Sequence, residues 1–199
     1  MSATKVMHSS AFDVNAINFE EEPRTLSNGM KMIHLFVGDS DIAFHAPQLV
    51  APFGIQTQYK KDDKFEIALH LPETMVSPLE AIEEKVVDFM YENQHLLGLV
   101  ENKSREVIQD KLSSCIKTDK YRNKIVPKLH KNTTITDENN NRISKLAVTK
   151  QSKNDCLLTI PSVWVFQGRF GISFHVRRIK TYPQVENKIT EFSITPMDE

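Results

Sequence analysis

Two alternating runs, residues 156–166 and 170–180, flank Gln167-Gly168-Arg169, and no other feature of the chain constrains its fold as much. In the second run Phe170, Ile172, Phe174 and Val176 fall on one face, and Gly171, Ser173, His175 and Arg177 on the other. A period of two marks a strand with one buried face, and a short glycine-containing loop between two such runs marks an antiparallel hairpin. A second hairpin is expected earlier. Residues 54–59 lead into Lys60-Lys61-Asp62-Asp63, after which Phe65, Ile67, Leu69 and Leu71 alternate with Glu66, Ala68 and His70. The Asn28-Gly29 turn dipeptide precedes an apolar strand over 30–37, and residues 39–41 form the next turn. An earlier strand is expected around 11–19, after a loose N-terminus over residues 1–10. Pro47 and Pro52 make 44–53 read as an edge segment, since proline cannot donate to a sheet ladder.

The middle of the chain reads as helical. Ser77, Pro78 and Glu80 have the spacing of an N-cap, a first-turn proline and a capping box. Leu79, Ile82, Val86, Phe89 and Met90 then recur at helical steps, so the pattern predicts a helix over 77–98 stopped by Gly98. A second helix is expected over 104–117, with Val107/Ile108, Lys111/Leu112 and Cys115/Ile116 stacked. Residues 118–131 read as basic and irregular, 132–142 as a long polar loop, and 143–149 as a short strand. Strands, a helical block and strands again imply an α+β chain, mainly β: a small antiparallel barrel with a two-helix insertion at about 77–117. Residues 11–183 would form its single domain, with a basic and polar loop at 118–142 and a mildly acidic tail at 184–199.

Composition adds exclusions. With 199 residues, 40 % hydrophobic and 26 % charged, the chain suits one globular domain. Apolar runs fall short of the roughly 20 residues that span a bilayer, and the N-terminus lacks a secretory pattern, so an intracellular protein without a membrane partner is expected. Cys115 and Cys156 stand alone and read as buried thiols. The seven histidines show no metal-ligand spacing, so no metal site is expected. There is no glycine-rich phosphate loop and no nucleophile elbow, and the carboxylates Glu83, Glu84 and Asp88 read as a solvated helix flank. Neither an enzyme nor a cofactor is indicated.

Charge is the informative quantity. The net charge of −1 hides an asymmetry: residues 1–100 carry seven Lys+Arg against fifteen Asp+Glu, and residues 101–199 carry eighteen against eleven. The excess is sharpest where Lys117, Lys120, Arg122, Lys124, Lys128 and Lys131 face Asp119, with Tyr121 among them. Such a stretch can neutralise phosphates and release counterions, or it can be a solvated surface. The C-terminal hairpin adds Arg169, Arg177, Arg178 and Lys180 to Trp164 and Phe166. Aromatic rings interleaved with cations are what a single-stranded nucleic-acid groove needs, because bases stack on rings while cations follow the backbone. Phe170 and Phe174 are assigned to the core. Trp164 and Phe166 stay open between core and platform, and Phe53 or Tyr59 is a further platform candidate.

Two segments carry a family resemblance: residues 45–55 running into 64–71, with Pro52-Phe53-Gly54, and residues 160–180, with Trp164 followed by Gly168-Arg169-Phe170-Gly171. With 104–108 and 120–127 between them in the same order, residues 12–183 resemble a replication-protein family of nucleo-cytoplasmic large DNA viruses. That family is similar in turn to phage-type single-stranded-DNA-binding proteins. The resemblance implies an OB-fold-like barrel, no catalysis, single-stranded DNA as ligand with RNA as the alternative strand, and viral replication proteins as partners, while the opposite charges of the two halves suit head-to-tail docking of further copies of the chain. It implies action inside the host cell, at the site of viral DNA replication. Phage-type relatives end in an acidic tail with a terminal aromatic. Here Glu191, Asp198 and Glu199 are the tail's uncompensated charges and Phe192 is not terminal, which weakens the case for recruitment through the tail. A protein-interaction or virion component on the same barrel, without nucleic acid, is the competing expectation.

Overall fold

In the computed structural model, which describes residues 6–8, 13–58, 61–99, 101–120 and 122–182, chain order begins with β1 (Val6–His8), β2 (Ile17–Phe19), β3 (Arg24–Thr25) and β4 (Lys31–Val37). Then come β5 (Ser40–Ala51), β6 (Ile55–Gln58), β7 (Lys61–Ile67) and β8 (Leu69–His70). Helices α1 (Glu73–Glu92) and α2 (Arg105–Gln109) follow, then β9 (Lys117–Thr118), β10 (Asn123–Ile125), β11 (Lys128–Thr136), β12 (Ser152–Phe166) and β13 (Arg169–Tyr182). The large sheet runs β1-β5-β4-β12-β13-β11-β7-β6, with β2 and β3 on β4 and β5 also on β12. β8-β10-β9 forms a small second sheet. The fold is α+β and mainly β, OB-fold-like with a helical insertion. It is not wholly antiparallel, as β11 runs parallel to β13 and β1 to β5.

The C-terminal hairpin organises the whole. β12 is its central strand, pairing with β13 along its length, with β4 at Ser162–Val165 and with β5 at Ser152–Ile160. The turn is tighter than expected: Gln167 and Gly168 alone make it, both at positive φ (50° and 71°), as a type I′ turn requires. Phe170, Ile172, Phe174, Val176 and Ile179 are buried on one side of β13, against Cys156, Leu158, Ile160, Val163 and Val165 of β12. Helix α1 adds Met75, Leu79, Ile82, Val86, Val87 and Met90 to the same core. The hairpin expected over 54–71 forms in part, as β6 and β7: residues 61–63, expected in the turn, belong to β7, which ends at Ile67, and Leu69 lies in β8 of the small sheet, with Ala68 buried between Ile67 and Leu69.

Several expectations are corrected. Residues 40–51 form β5, interior at Ala43–His45 between β1 and β12, whereas residues 46–51 have only β12 as a described neighbour and are an edge segment there as expected. Pro47 is accommodated by a bulge in which Pro47 and Gln48 lie opposite Asp155 alone, so no ladder donor is lost. Helix α1 starts at Glu73 with Pro72 before it, so neither the Ser77 cap nor the capping box exists. Pro78 lies inside the helix, where its missing N–H leaves only the carbonyl of exposed Thr74 without a helical partner, and burial of Met75 and Val76 outweighs that loss. A 3-10 turn over Gln94–Leu97 follows, and Gly98 ends it at φ +71° as expected.

The second helix stops at Gln109, because Leu112 and Ser113 leave the helix to bond the edge of β13. Ser113 donates its amide to the Phe170 carbonyl (2.7 Å), and the Phe170 amide donates to Lys111 (3.2 Å). The basic stretch is not irregular, since it folds into β9, β10 and the start of β11. β11 takes half of the expected polar loop, leaving a turn at 137–141 held by the Asp137 carboxylate. Residues 143–149 hold a 3-10 turn at Lys145–Ala147 instead of a strand. In the early region only Ile17–Phe19 is strand, behind a 3-10 turn at Val14–Ala16, and residues 11 and 12 lie outside the described residues. Cys156 is buried, whereas Cys115 is only half-buried.

Candidate nucleic-acid interface

β13 is buried on both faces over residues 170–174 and then turns one face outward: His175 and, past a bulge at Arg177, Arg178, Lys180 and Tyr182. Arg177 is the extra residue of that bulge, since Leu157 faces Arg178 and Leu158 faces Val176. Without the bulge the alternation would carry a charge into the core at 178 and Ile179 out of it. β11 lies alongside in parallel, with Lys128 opposite His175 and Thr136 opposite Lys180. Between its two paired stretches, residues 130–133 lift off the ladder, and Thr133 donates its hydroxyl to the Val176 carbonyl (2.6 Å).

Cations therefore gather along one strip of sheet. At its centre His175 sits 6.4 Å from His130 (ring centroids). Burial first, and then the charges of Lys128 and Arg177 and the neighbouring His130, push the His175 pKa down to about 4. His175 is thus neutral at physiological pH within a positive field. At the far end Arg178 and Lys180 border a recess with His45 and Leu157, where Lys180 donates to Asn140 (3.1 Å). Asp155 sets that end. Burial works to raise its pKa, but hydrogen bonds from the Tyr182 hydroxyl (2.7 Å) and the Gln48 amide (2.8 Å) prevail, and the group stays below the usual carboxylate range.

At the near end, residues 111–113 pair with the edge of β13 at Phe170, and the chain runs on through Lys117 as a strap beside Trp164. Trp164 lies opposite Gly171, where an added Cβ would stand 2.8 Å from the indole and 2.7 Å from the Ser113 carbonyl. Only glycine lets ring and strap approach the strand together. The strap is pinned from two sides. Buried Glu83 of α1 accepts from the Cys115 amide and the Ser114 hydroxyl (2.9 Å), and Arg169 donates to the Ser113 hydroxyl (3.3 Å) and the Leu112 carbonyl (3.5 Å). Burial, followed by the Glu83 charge, raises the Cys115 pKa well above the ordinary thiol value, so that thiol stays protonated.

The residues singled out in the sequence therefore divide. Lys117, Lys128 and Trp164 come together around a recess beside the strap. Arg177, Arg178 and Lys180 continue the strip along β13. Arg169 is taken up by the strap, and half-buried Phe166 pairs with it across the hairpin end. Lys120, Arg122 and Lys124 lie on or beside the small sheet, where Lys124 pairs with Asp119 (3.1 Å) and the Arg122 amide with the same carboxylate (3.1 Å). Exposed Lys131 borders a separate polar recess with Arg142. Tyr121 and Tyr59 lie outside the described residues, and Phe53 is exposed. His175, His130, Asp155 and Glu83 escaped sequence reasoning as site residues. The alternation already put His175 on the outward face with Arg177, while nothing local marks Glu83 as the anchor of a segment thirty residues away.

No protein-family model matches the chain, and no curated protein does. Solved structures are similar in fold. The crystal structure of gp2.5, a single-stranded DNA binding protein encoded by bacteriophage T7, superposes with a TM-score of 0.50 at 10 % identity, covering 75 % of this chain and 98 % of that one. The single-stranded DNA-binding protein from bacteriophage Enc34 in complex with ssDNA gives a TM-score of 0.42 at 10 % identity, covering 80 % and 93 %. At this identity the T7 likeness establishes shared architecture: this chain has the fold of that protein.

Proposed function

We propose that the chain is a non-enzymatic single-stranded-DNA-binding protein of viral DNA replication, acting inside the host cell and binding with little sequence preference. One observation carries the reading. Lys128, Arg177, Arg178 and Lys180, drawn from segments some fifty residues apart, lie along one outward strip of β11 and β13. They do so on the fold of a phage single-stranded DNA binding protein. A strip of cations on adjacent strands can follow a phosphate backbone, while aromatic rings supply stacking that tolerates any base. RNA offers the same backbone charge and is the alternative strand. Further copies of the chain and viral replication proteins are the macromolecular partners in this reading.

Fluorescence anisotropy with labelled oligo-dT and an equal-length duplex, at low and near-physiological salt, tests it. Salt-sensitive binding to the single strand in preference to the duplex is expected. No binding to either at low salt would contradict it and favour a protein-interaction or virion role for the same fold.

A further inference from the structure

The recess beside the strap opens at the edge of β13 between Phe170 and His175, lined by Trp164 and Val126, by the rim of the otherwise buried Phe174, and by Lys117 and Lys128, with Ser113 on the strap side. Its volume is about 180 Å³. Three features make it a built slot rather than a surface crevice. Gly171 is the residue whose lack of a Cβ lets indole and strap meet the strand. Glu83 and Arg169 hold the strap at a fixed height from opposite sides. The two lysines come from different strands, β9 and β11, and reach the same recess. The walls are apolar and aromatic, while the added charge is cationic. That combination fits a flat, uncharged ring joined to an anion.

Resting on the single-strand reading above, we infer that this slot takes one nucleobase, stacked on Trp164, with the adjoining phosphate held by Lys117 and Lys128. The slot gives the strand a fixed point at the near end of the strip, from which the backbone runs past His175 to Arg178 and Lys180. Stacking against one indole suits any base, so the slot anchors without selecting sequence. It also assigns a purpose to the strap: residues that begin as a helix abandon it at Gln109 and become one wall of a ligand site.

Trp164 is the chain's single tryptophan, so its emission reports the slot directly. Emission and anisotropy are followed together during titration with oligo-dT and with a base-free abasic oligomer of equal length. Oligo-dT should quench Trp164 as anisotropy rises, whereas the abasic oligomer should bind about tenfold more weakly, the scale of one lost base stack, with no quench. Val126→Phe, at a partly exposed wall position, should fill the slot. It should abolish the quench and bring oligo-dT down to the abasic affinity. Unchanged Trp164 emission while wild-type protein saturates with oligo-dT would overturn the slot and leave the single-strand reading standing. Equal loss of both oligomers in Val126→Phe would overturn it too. Absence of any anisotropy change in the wild type would overturn both.

Discussion

The helical block and the outer strip of sheet handle charge in opposite ways. On α1 the exposed carboxylates Glu84 and Asp88 share one counter-ion, Arg105, whose guanidinium bonds both. Those bonds hold the guanidinium pKa above its ordinary value, and the acidic face is partly neutralised from within the block. On the strip, Lys128 and Arg177 close around His175 and their charges help keep it neutral, while Arg178 stands exposed opposite Leu157 of β12. One region offsets part of its charge internally. The other gathers Lys128, Arg177, Arg178 and Lys180 on one ladder, with Asp155 opposite Lys180 as the carboxylate at its far end, so positive charge is in excess there. A near-neutral total can therefore conceal a cationic face when compensation is spatially segregated.

Charge reversal should break this comparison most strongly. Arg177→Glu with Arg178→Glu should lower oligo-dT affinity by roughly a hundredfold or more at low salt, since each charged contact contributes about 1.5–3 kcal/mol. Glu80→Lys with Glu92→Lys on α1 should not lower it, since added positive charge away from the contact path acts on a polyanion only through screened long-range attraction. Comparable losses in the two pairs, read by anisotropy with circular dichroism as the folding control, would erase the distinction between the faces.

Glu83 joins the two regions, and its removal comes next in size. Glu83→Ala leaves the Cys115 amide without its acceptor inside the protein, so denaturant unfolding should show a loss of about 1–3 kcal/mol. An unchanged unfolding midpoint would mean that the strap does not depend on the helix.

Smaller effects sharpen the account of the strip. Lys128→Ala should reduce the slope of log K against log salt by about 0.7, the value of one phosphate contact on a single strand. A slope identical to the wild type would remove Lys128 from the path. His175 supplies a pH test. Its folded pKa of about 4 lies below its ordinary value of 6.5, so the unfolded chain binds the proton more readily between them. Its contribution to stability is complete above about pH 6.5 and is lost as pH falls toward 4. Thermal melts of His175→Asn should show a shallower decline than the wild type across that window. Parallel declines would place the acid sensitivity elsewhere.

How much of this was legible in the chain differs by segment, for physical reasons. The 152–182 hairpin is written in local alternation, and its buried face carries that alternation into the structure, whereas β6 and β7 pair as expected without a buried face on β6. Residues 104–118 are also written in a local pattern, a helical one, but a partner overrides it. The edge backbone of Phe170 and the Glu83 carboxylate draw out Leu112, Ser113 and Cys115. Ser77-Pro78 failed in the same way, because Met75 and Val76 find core to bury and pull the helix start back to Glu73. At the site, Arg177, Arg178 and Lys180 were legible as cations on a strand. Their alignment with Lys128 was not, since the parallel β11–β13 pairing joins residues about fifty apart.

The most direct measurement is a lysine-acetylation footprint of the intact protein, read by mass spectrometry with and without saturating oligo-dT. It compares both faces in one sample. Lys117, Lys128 and Lys180 should be protected, while Lys85 on α1 and Lys103 before α2 should react as in the free protein. Protection of Lys85 and Lys103, or equal reactivity of all five in the bound state, would contradict the assignment of the strand to the β11–β13 face.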